Sequence, residues 1–222
     1  MTDQQPRATQ KAWAILGKGD WARLGWPGLA WAGLLGLGWA IATFPSITDW
    51  DSTVLLGIHR YATPALDRAM PWFTDLGTVW GVLPGTLGLG LVLLRRKQQR
   101  QAIFLFLAML GALLLNIGIK GFWQRVRPNL WEGIPTLPDS SFPSGHATFS
   151  MAFFLAVVLI SQNHPYRRRI IWLGGLLAVW IGLSRAYLGV HYLSDVVGGW
   201  LLAFGWTVGL YRVMFFPVGK AQ

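Results

Sequence analysis

The 222-residue chain is 53% hydrophobic and only 13% charged, a balance too apolar for a water-soluble domain of this length. Nineteen Lys and Arg against nine Asp and Glu give a formal charge of +10, which would suggest nucleic acid unless the cations sit at membrane edges. Cysteine is absent, which excludes a disulfide framework and a thiolate metal site.

Six uncharged apolar runs follow one another: Pro27 to Phe44, Leu76 to Leu94, Ala102 to Ile119, Ala147 to Gln162, Ile170 to Leu183 and Val196 to Tyr211. They are continuously apolar rather than alternating, so they predict transmembrane helices and disfavour a β-barrel. The expected fold is all-α: a polytopic membrane protein with six transmembrane helices in one bundle. Residues 1–222 read as a single domain, with 1–25 as a basic cytoplasmic leader. The first run ends in Ala40-Ile41-Ala42, which resembles a signal-peptidase site, but the leader is long for a signal peptide and the run reads as an uncleaved anchor. Between the first two runs, Ile47 to Asp75 is expected to lie along the outer interface as one or two amphipathic pieces, with Trp72 and Phe73 toward lipid. Gly81/Gly85 and Gly205/Gly209 are spaced for close helix packing. Tryptophans near segment ends, such as Trp26, Trp50, Trp72, Trp123 and Trp131, read as interfacial anchors.

Alternating six helices across a bilayer sorts the 19 basic residues into 13 on one side and 6 on the other. The larger set includes the leader, Arg95 to Arg100, Arg167 to Arg169, Arg212 and Lys220. Lys and Arg are retained in the cytoplasm on insertion, so this side, with both termini, is expected to be cytoplasmic. The surplus charge is then topological and no nucleic acid partner is expected.

The outer set is Arg60, Arg68, Lys120, Arg125, Arg127 and Arg185, and insertion does not explain it. Lys120 closes the third run and Arg127-Pro128 follows seven residues later; alone, these also fit a helix anchor. Pro143-Ser144-Gly145-His146 precedes the fourth run, where Ser144 suits an N-cap and Gly145 leaves its N–H open to an anion such as phosphate; an ordinary cap beside an interfacial His fits equally. Ser184-Arg185, His191 and Asp195 join the last two runs. If the sixth helix has begun there, His191 and Asp195 share a face; the carboxylate can then orient the imidazole as a nucleophile, or the two form a structural pair. All three groups fall on one side of the membrane. Three cations there, without a compensating carboxylate cluster, call for an anionic ligand such as a phosphoryl group.

Together these segments resemble the three-part phosphatase motif of the type 2 phosphatidic acid phosphatase (PAP2) superfamily, in its integral-membrane lipid phosphatase branch, over a stretch from about Asp51 to the sixth helix. The resemblance implies that His191 attacks phosphorus and forms a phosphohistidine, that Asp195 orients it and that His146 protonates the leaving oxygen. It further implies that Lys120, Arg127, Ser144, Gly145 and Arg185 hold the phosphate, with no metal and no cofactor. The implied substrate is a phospholipid or polyprenyl phosphate: phosphatidic acid, phosphatidylglycerol phosphate or undecaprenyl diphosphate. The expected location is the bacterial inner membrane, with the active site at the outer face. A catalytically silent lipid-binding or scaffold relative is the alternative. A transporter would call for ionisable residues deep in the spans, and vanadium haloperoxidases, which share the motif, are soluble. His59 is expected in a loop, His164 in the turn before Arg167, and Arg125 at the interface.

Overall fold

A computed structural model of the chain describes residues 20–134 and 137–216, with side chains from residue 25. The ends of the chain, which carry most of the basic leader and Lys220, lie outside the described residues. Among those described there is no strand, and every one of the six apolar runs contains or enters a helix.

Helix α1 (Asp20–Thr43) runs into α2 (Pro45–His59) through a bend of 98°. The sequence causes the bend. Pro45 has no N–H to continue the ladder and forces Phe44 into extended backbone (φ −114°, ψ 100°). Thr63 then caps α3 (Pro64–Asp75), its hydroxyl accepting from Leu66 N at 3.3 Å, and Pro64 sits at the first helical position. The Ile47 to Asp75 segment is thus two helical pieces, with Trp72 79% exposed and Phe73 edge-on to Trp180. His59 is not a loop residue, because α2 extends to it, and its ring stacks on Trp131 at 4.1 Å.

Helices α4 (Val82–Arg95) and α5 (Gln99–Trp123) are joined by a tight turn through Lys97 at φ 58°. Helix α6 spans Gly145–Ile160, and α7 (Arg167–Tyr187) contains one π-helical turn, Ile170–Gly174. Helix α8 (Leu193–Phe215) is the central element, packed against α1, α5, α6 and α7. Gly205 lies against Trp31 and Gly209 against Pro27, so this small-residue pair seats α1, as its spacing suggests.

By length and apolarity, α5, α7 and α8 can each cross a membrane, and the bent α1–α2 pair makes a fourth candidate. Helices α4 and α6 are apolar but have 14 and 16 residues. At 1.5 Å per residue they reach about 21 and 24 Å, short of a hydrocarbon core of about 30 Å. In α4 the first residues of the run are consumed by the turn 76–81, where a Cβ on Gly81 would strike the Leu76 backbone and one on Gly77 would meet Ile181.

The bundle has two chemically distinct ends. At one, Arg100 of α5 donates to Met214 O of α8, and Gln162 donates to Tyr211 Oη at 2.7 Å. At the other lie Lys120, Arg127, the start of α6, Arg185, His191 and Asp195. Trp26, Trp50 and Trp72 are exposed, as anchors require, whereas Trp123 and Trp131 are not. Trp123 fills the space over Gly38 and packs on Phe142, and Trp131 stacks on His59, so these two are packing residues.

Candidate active site

Three chain reversals build the site. Helix α5 stops at Gln124, whose left-handed backbone (φ 47°) accompanies an N–H bond to Lys120 O at 3.0 Å and releases Arg125 to Arg127 from the helix. The loop before α6 returns beside it, with Ser141 N bonded to Arg125 O at 2.8 Å. Beyond α7, Gly189 (φ 69°) turns the chain through Val190 and His191 into α8.

The Pro143–His146 segment is held from two sides. Ser144 N donates to Asp195 O at 3.0 Å, and Asn116 of α5 donates to Pro143 O at 3.3 Å and to Thr148 Oγ1 at 3.1 Å. This approach needs bare backbone on α8, since a Cβ on Gly199 would lie 2.7 Å from Ser144 O. Ser144 is the N-cap of α6, its hydroxyl facing Ala147 N at 3.5 Å, and Gly145 and His146 form the first helical positions, both partly accessible. The N–H groups of such a first turn suit an anion.

His191 is buried but not helical. Helix α8 begins at Leu193, so the pair does not share a helix face as the four-residue spacing suggested; His191 enters from the preceding turn and Asp195 stands in the first helical turn. His191 Nδ1 lies 3.5 Å from Asp195 Oδ2, long for a hydrogen bond. Burial pulls the His191 imidazole down to about 4 against the opposing influence of Asp195, so it is neutral near pH 7. Its other nitrogen, Nε2, faces Arg127 Nη1 at 3.0 Å.

Arg127 also donates to Val190 O at 2.7 Å and reaches Asp139 Oδ1 at 2.7 Å. Lys120 meets Asp139 Oδ2 at 2.7 Å and also touches Ser140 O. The cations therefore have a compensating carboxylate after all, delivered from the loop before α6. Burial works to raise the Asp139 carboxyl, but the hydrogen bonds from Lys120 and Arg127 overcome it and hold it at about 2. Arg185 comes from α7, is 8% exposed, and donates to Thr74 Oγ1 of α3 at 3.0 Å. Its Nε has no hydrogen-bond partner among the described residues. Arg185, Arg127 and Lys120 all lie close enough to His146 for their charges to bear on it.

The sequence-predicted residues thus converge at one end of the bundle: Lys120, Arg127, Ser144, Gly145, His146, Arg185, His191 and Asp195. An open cleft of about 680 Å³ beside them is lined by Ile117, Lys120, Val126, Arg127, Leu137 and Asp139. A second, of about 430 Å³, touches Arg185 from the side of Thr74, Trp131 and Tyr187.

Sequence reasoning misplaced Arg125. It is not interfacial: its side chain is 7% exposed and paired with two fully buried carboxylates, Asp51 of α2 at 2.9 Å and Asp195 at 2.6 Å. It also donates to Ser194 Oγ at 2.7 Å and Thr48 Oγ1 at 3.2 Å, and lies over the Tyr192 ring at 4.2 Å. Asp51 further accepts from Ser194 N at 3.1 Å. Asp51, Asn116 and Asp139 were not singled out either; of these only Asn116, a lone amide inside an apolar run, carried a sequence signal.

The PAP2 superfamily model matches residues 101–218, which contain all three motif segments. The chain belongs to the PAP2 superfamily. Among PAP2 proteins, phosphatidylglycerophosphatase B of Bacillus subtilis (strain 168) is 30% identical over 146 residues, aligning 63% of this chain with 70% of its own. Undecaprenyl-diphosphatase of Sulfolobus acidocaldarius is 30% identical over 156 residues, 67% of this chain and 69% of that protein. The crystal structure of a transmembrane PAP2-type phosphatidylglycerolphosphate phosphatase from Bacillus subtilis superposes with a TM-score of 0.79 at 24% identity, covering 89% of this chain and 99% of that one, which establishes the shared PAP2 fold.

Proposed function

We propose that this PAP2 lipid phosphatase hydrolyses the terminal phosphate of a membrane lipid through a phosphohistidine on His191. The observation that carries the reading is the surround of His191: a buried, neutral imidazole with Nδ1 toward Asp195 and Nε2 toward the cationic end of the site. Nε2 attacks phosphorus as the bond to the lipid oxygen breaks, and His146, at the start of α6, gives that oxygen its proton. A water then attacks the phosphohistidine, His146 takes a proton from it, and inorganic phosphate leaves. Lys120, Arg127, Arg185 and the N–H groups about Ser144 and Gly145 hold the equatorial oxygens, whose charge grows in the transition state. The site supplies its own positive charge and nucleophile, which supports metal-independent chemistry.

The relatives' names supply the substrate candidates: phosphatidylglycerol phosphate and undecaprenyl diphosphate, with phosphatidic acid as the simplest member of the class. In our reading α4 and α6 also span, giving six crossings, with Arg95 to Arg100 and Arg167 to Arg169 in the cytoplasm and the site at the outer face of a bacterial inner membrane. The short α4 and α6 then leave their site-proximal ends below the surface, and the cleft beside Ile117, Val126 and Leu137 admits the lipid tail laterally. The test is phosphate release from these three lipids in detergent, with His191→Ala as control. Release that persists in folded His191→Ala would overturn the assignment.

A further inference from the structure

The bridge between α2 and α8 has no part in the chemistry just described, and its construction is unusual for a packing contact. Both terminal nitrogens of Arg125 are engaged by protein acceptors: Nη1 by Asp195 and Ser194, Nη2 by Asp51 and Thr48. Arg125 is therefore not offering these groups to phosphate, unlike Arg127 two residues later. Asp195 uses its two oxygens differently. Oδ2 accepts from Tyr192 N at 2.8 Å and from Ser141 Oγ, and it is the oxygen that faces His191 Nδ1. Oδ1 is held by Arg125 at 2.6 Å. A carboxylate gripped at Oδ1 cannot rotate about its last torsion, and so Oδ2 stays aimed at the imidazole. Asp195 and Asp51 are each 0% exposed, and Arg125 is the cation that both touch. Buried like charges are tolerated only with such a partner. Asp51 in turn fixes Arg125 from α2 and binds both the N–H and the hydroxyl of Ser194, in the first turn of the helix that carries Asp195.

We infer that Arg125 and Asp51 are positioning residues for the nucleophile: the Asp51–Arg125 pair orients and charge-balances Asp195, which orients His191, so that the seating of α2 is coupled to the competence of the histidine. The inference rests on the proposed role of His191 and assigns functional weight to a helix outside the three motif segments.

The test uses purified full-length Arg125→Lys, Arg125→Gln and Asp51→Asn proteins, checked for folding by thermal melting, with inhibition by inorganic phosphate as a readout of the phosphate-binding cations. A positioning role lowers kcat while leaving KM and the affinity for inorganic phosphate within about twofold, because Lys120, Arg127 and Arg185 are untouched. Arg125→Gln should lose about 100-fold or more in kcat. Arg125→Lys, which keeps the charge but not the fork, should lose about 10-fold, and Asp51→Asn should lose several-fold. Wild-type kcat in both Arg125→Lys and Asp51→Asn would overturn the inference, as would a loss of affinity for inorganic phosphate in step with kcat. If Arg125→Gln does not fold, the other two variants decide. A wild-type protein that releases phosphate while His191→Ala does not leaves the reaction standing whichever way these variants behave.

Discussion

If Lys120 and Arg127 bind the substrate phosphate as proposed, Asp139 occupies the place of an anion that substrate must share or displace. Its two oxygens meet Lys120 and Arg127 at 2.7 Å each, on side chains 13% and 11% exposed, while its own side chain is 52% exposed. Pairs of this partly solvated kind are worth about 0.5–1 kcal/mol each, so the two together oppose an incoming phosphate by about 1–2 kcal/mol. At 1.4 kcal/mol per tenfold, that corresponds to about 5- to 30-fold in affinity. Asp139→Asn removes the charge at nearly constant shape. It should therefore tighten inhibition by orthovanadate and by inorganic phosphate by about that factor, with KM for the lipid falling in the same direction. The assay is a steady-state inhibition series in detergent at fixed ionic strength, since salt screens the same pairs. Weaker vanadate inhibition in Asp139→Asn would refute the competition and leave Asp139 as a residue that holds the two cations in place.

His191→Ala should abolish turnover, and Asp195→Asn should lower kcat by about 10²- to 10⁴-fold with little change in KM; phosphate-release kinetics on the preferred lipid check both. The pH dependence of stability should carry the signature of His191. Its folded value of about 4 lies below the ordinary 6.5, so the fold is favoured by the neutral form; this contribution, about 3 kcal/mol, is complete above pH 6.5 and is lost as the pH falls toward 4. Thermal melting of the wild type should drop across that window, and the drop should shrink in His191→Ala; equal slopes would show that the imidazole is not buried neutral. Topology is tested with single cysteines in this Cys-free chain: one at Glu132 should react with an impermeant thiol reagent in intact cells, and one at Gln98 only after lysis. The reverse pattern would invert the orientation and leave the phosphatase chemistry intact.

The six apolar runs were legible because continuous hydrophobicity is a local property, and each run became a helix. Their usable lengths were less so. The turn at Gly77 and Gly81 depends on what packs against it, Ile181 among others, whereas Ser144 was legible as the cap of α6. The motif residues were legible because their types and spacings are distinctive. Partner choice was not: Asp51 and Arg125 are 74 residues apart, and Arg125 read as one more outer cation because its two carboxylates arrive from separate helices. Asp139 was hidden in the same way, since nothing in the local sequence distinguishes a solvated loop carboxylate from one that closes over Lys120 and Arg127.

The π-helical turn at Ile170–Gly174 makes the direction of Arg185 a matter of counting. A π turn accommodates one residue more than the α-helix around it, and each residue in an α-helix advances the azimuth by about 100°. Helix α7 thus arrives at its last turns rotated by about a quarter-circle relative to an uninterrupted helix entering through the same Arg167–Arg169 anchor. Arg185 meets Thr74 and faces the phosphate site only in that rotated frame. A one-residue deletion within this turn would restore regular hydrogen bonding and leave the guanidinium in place, whereas a deletion between Gly175 and Arg185 would swing it by about 100° off the proposed site. The opposite end of the helix therefore acts as a phase setting for the site: it is the place in α7 where one residue can be lost without turning Arg185, and alterations of length beyond it are far less tolerable.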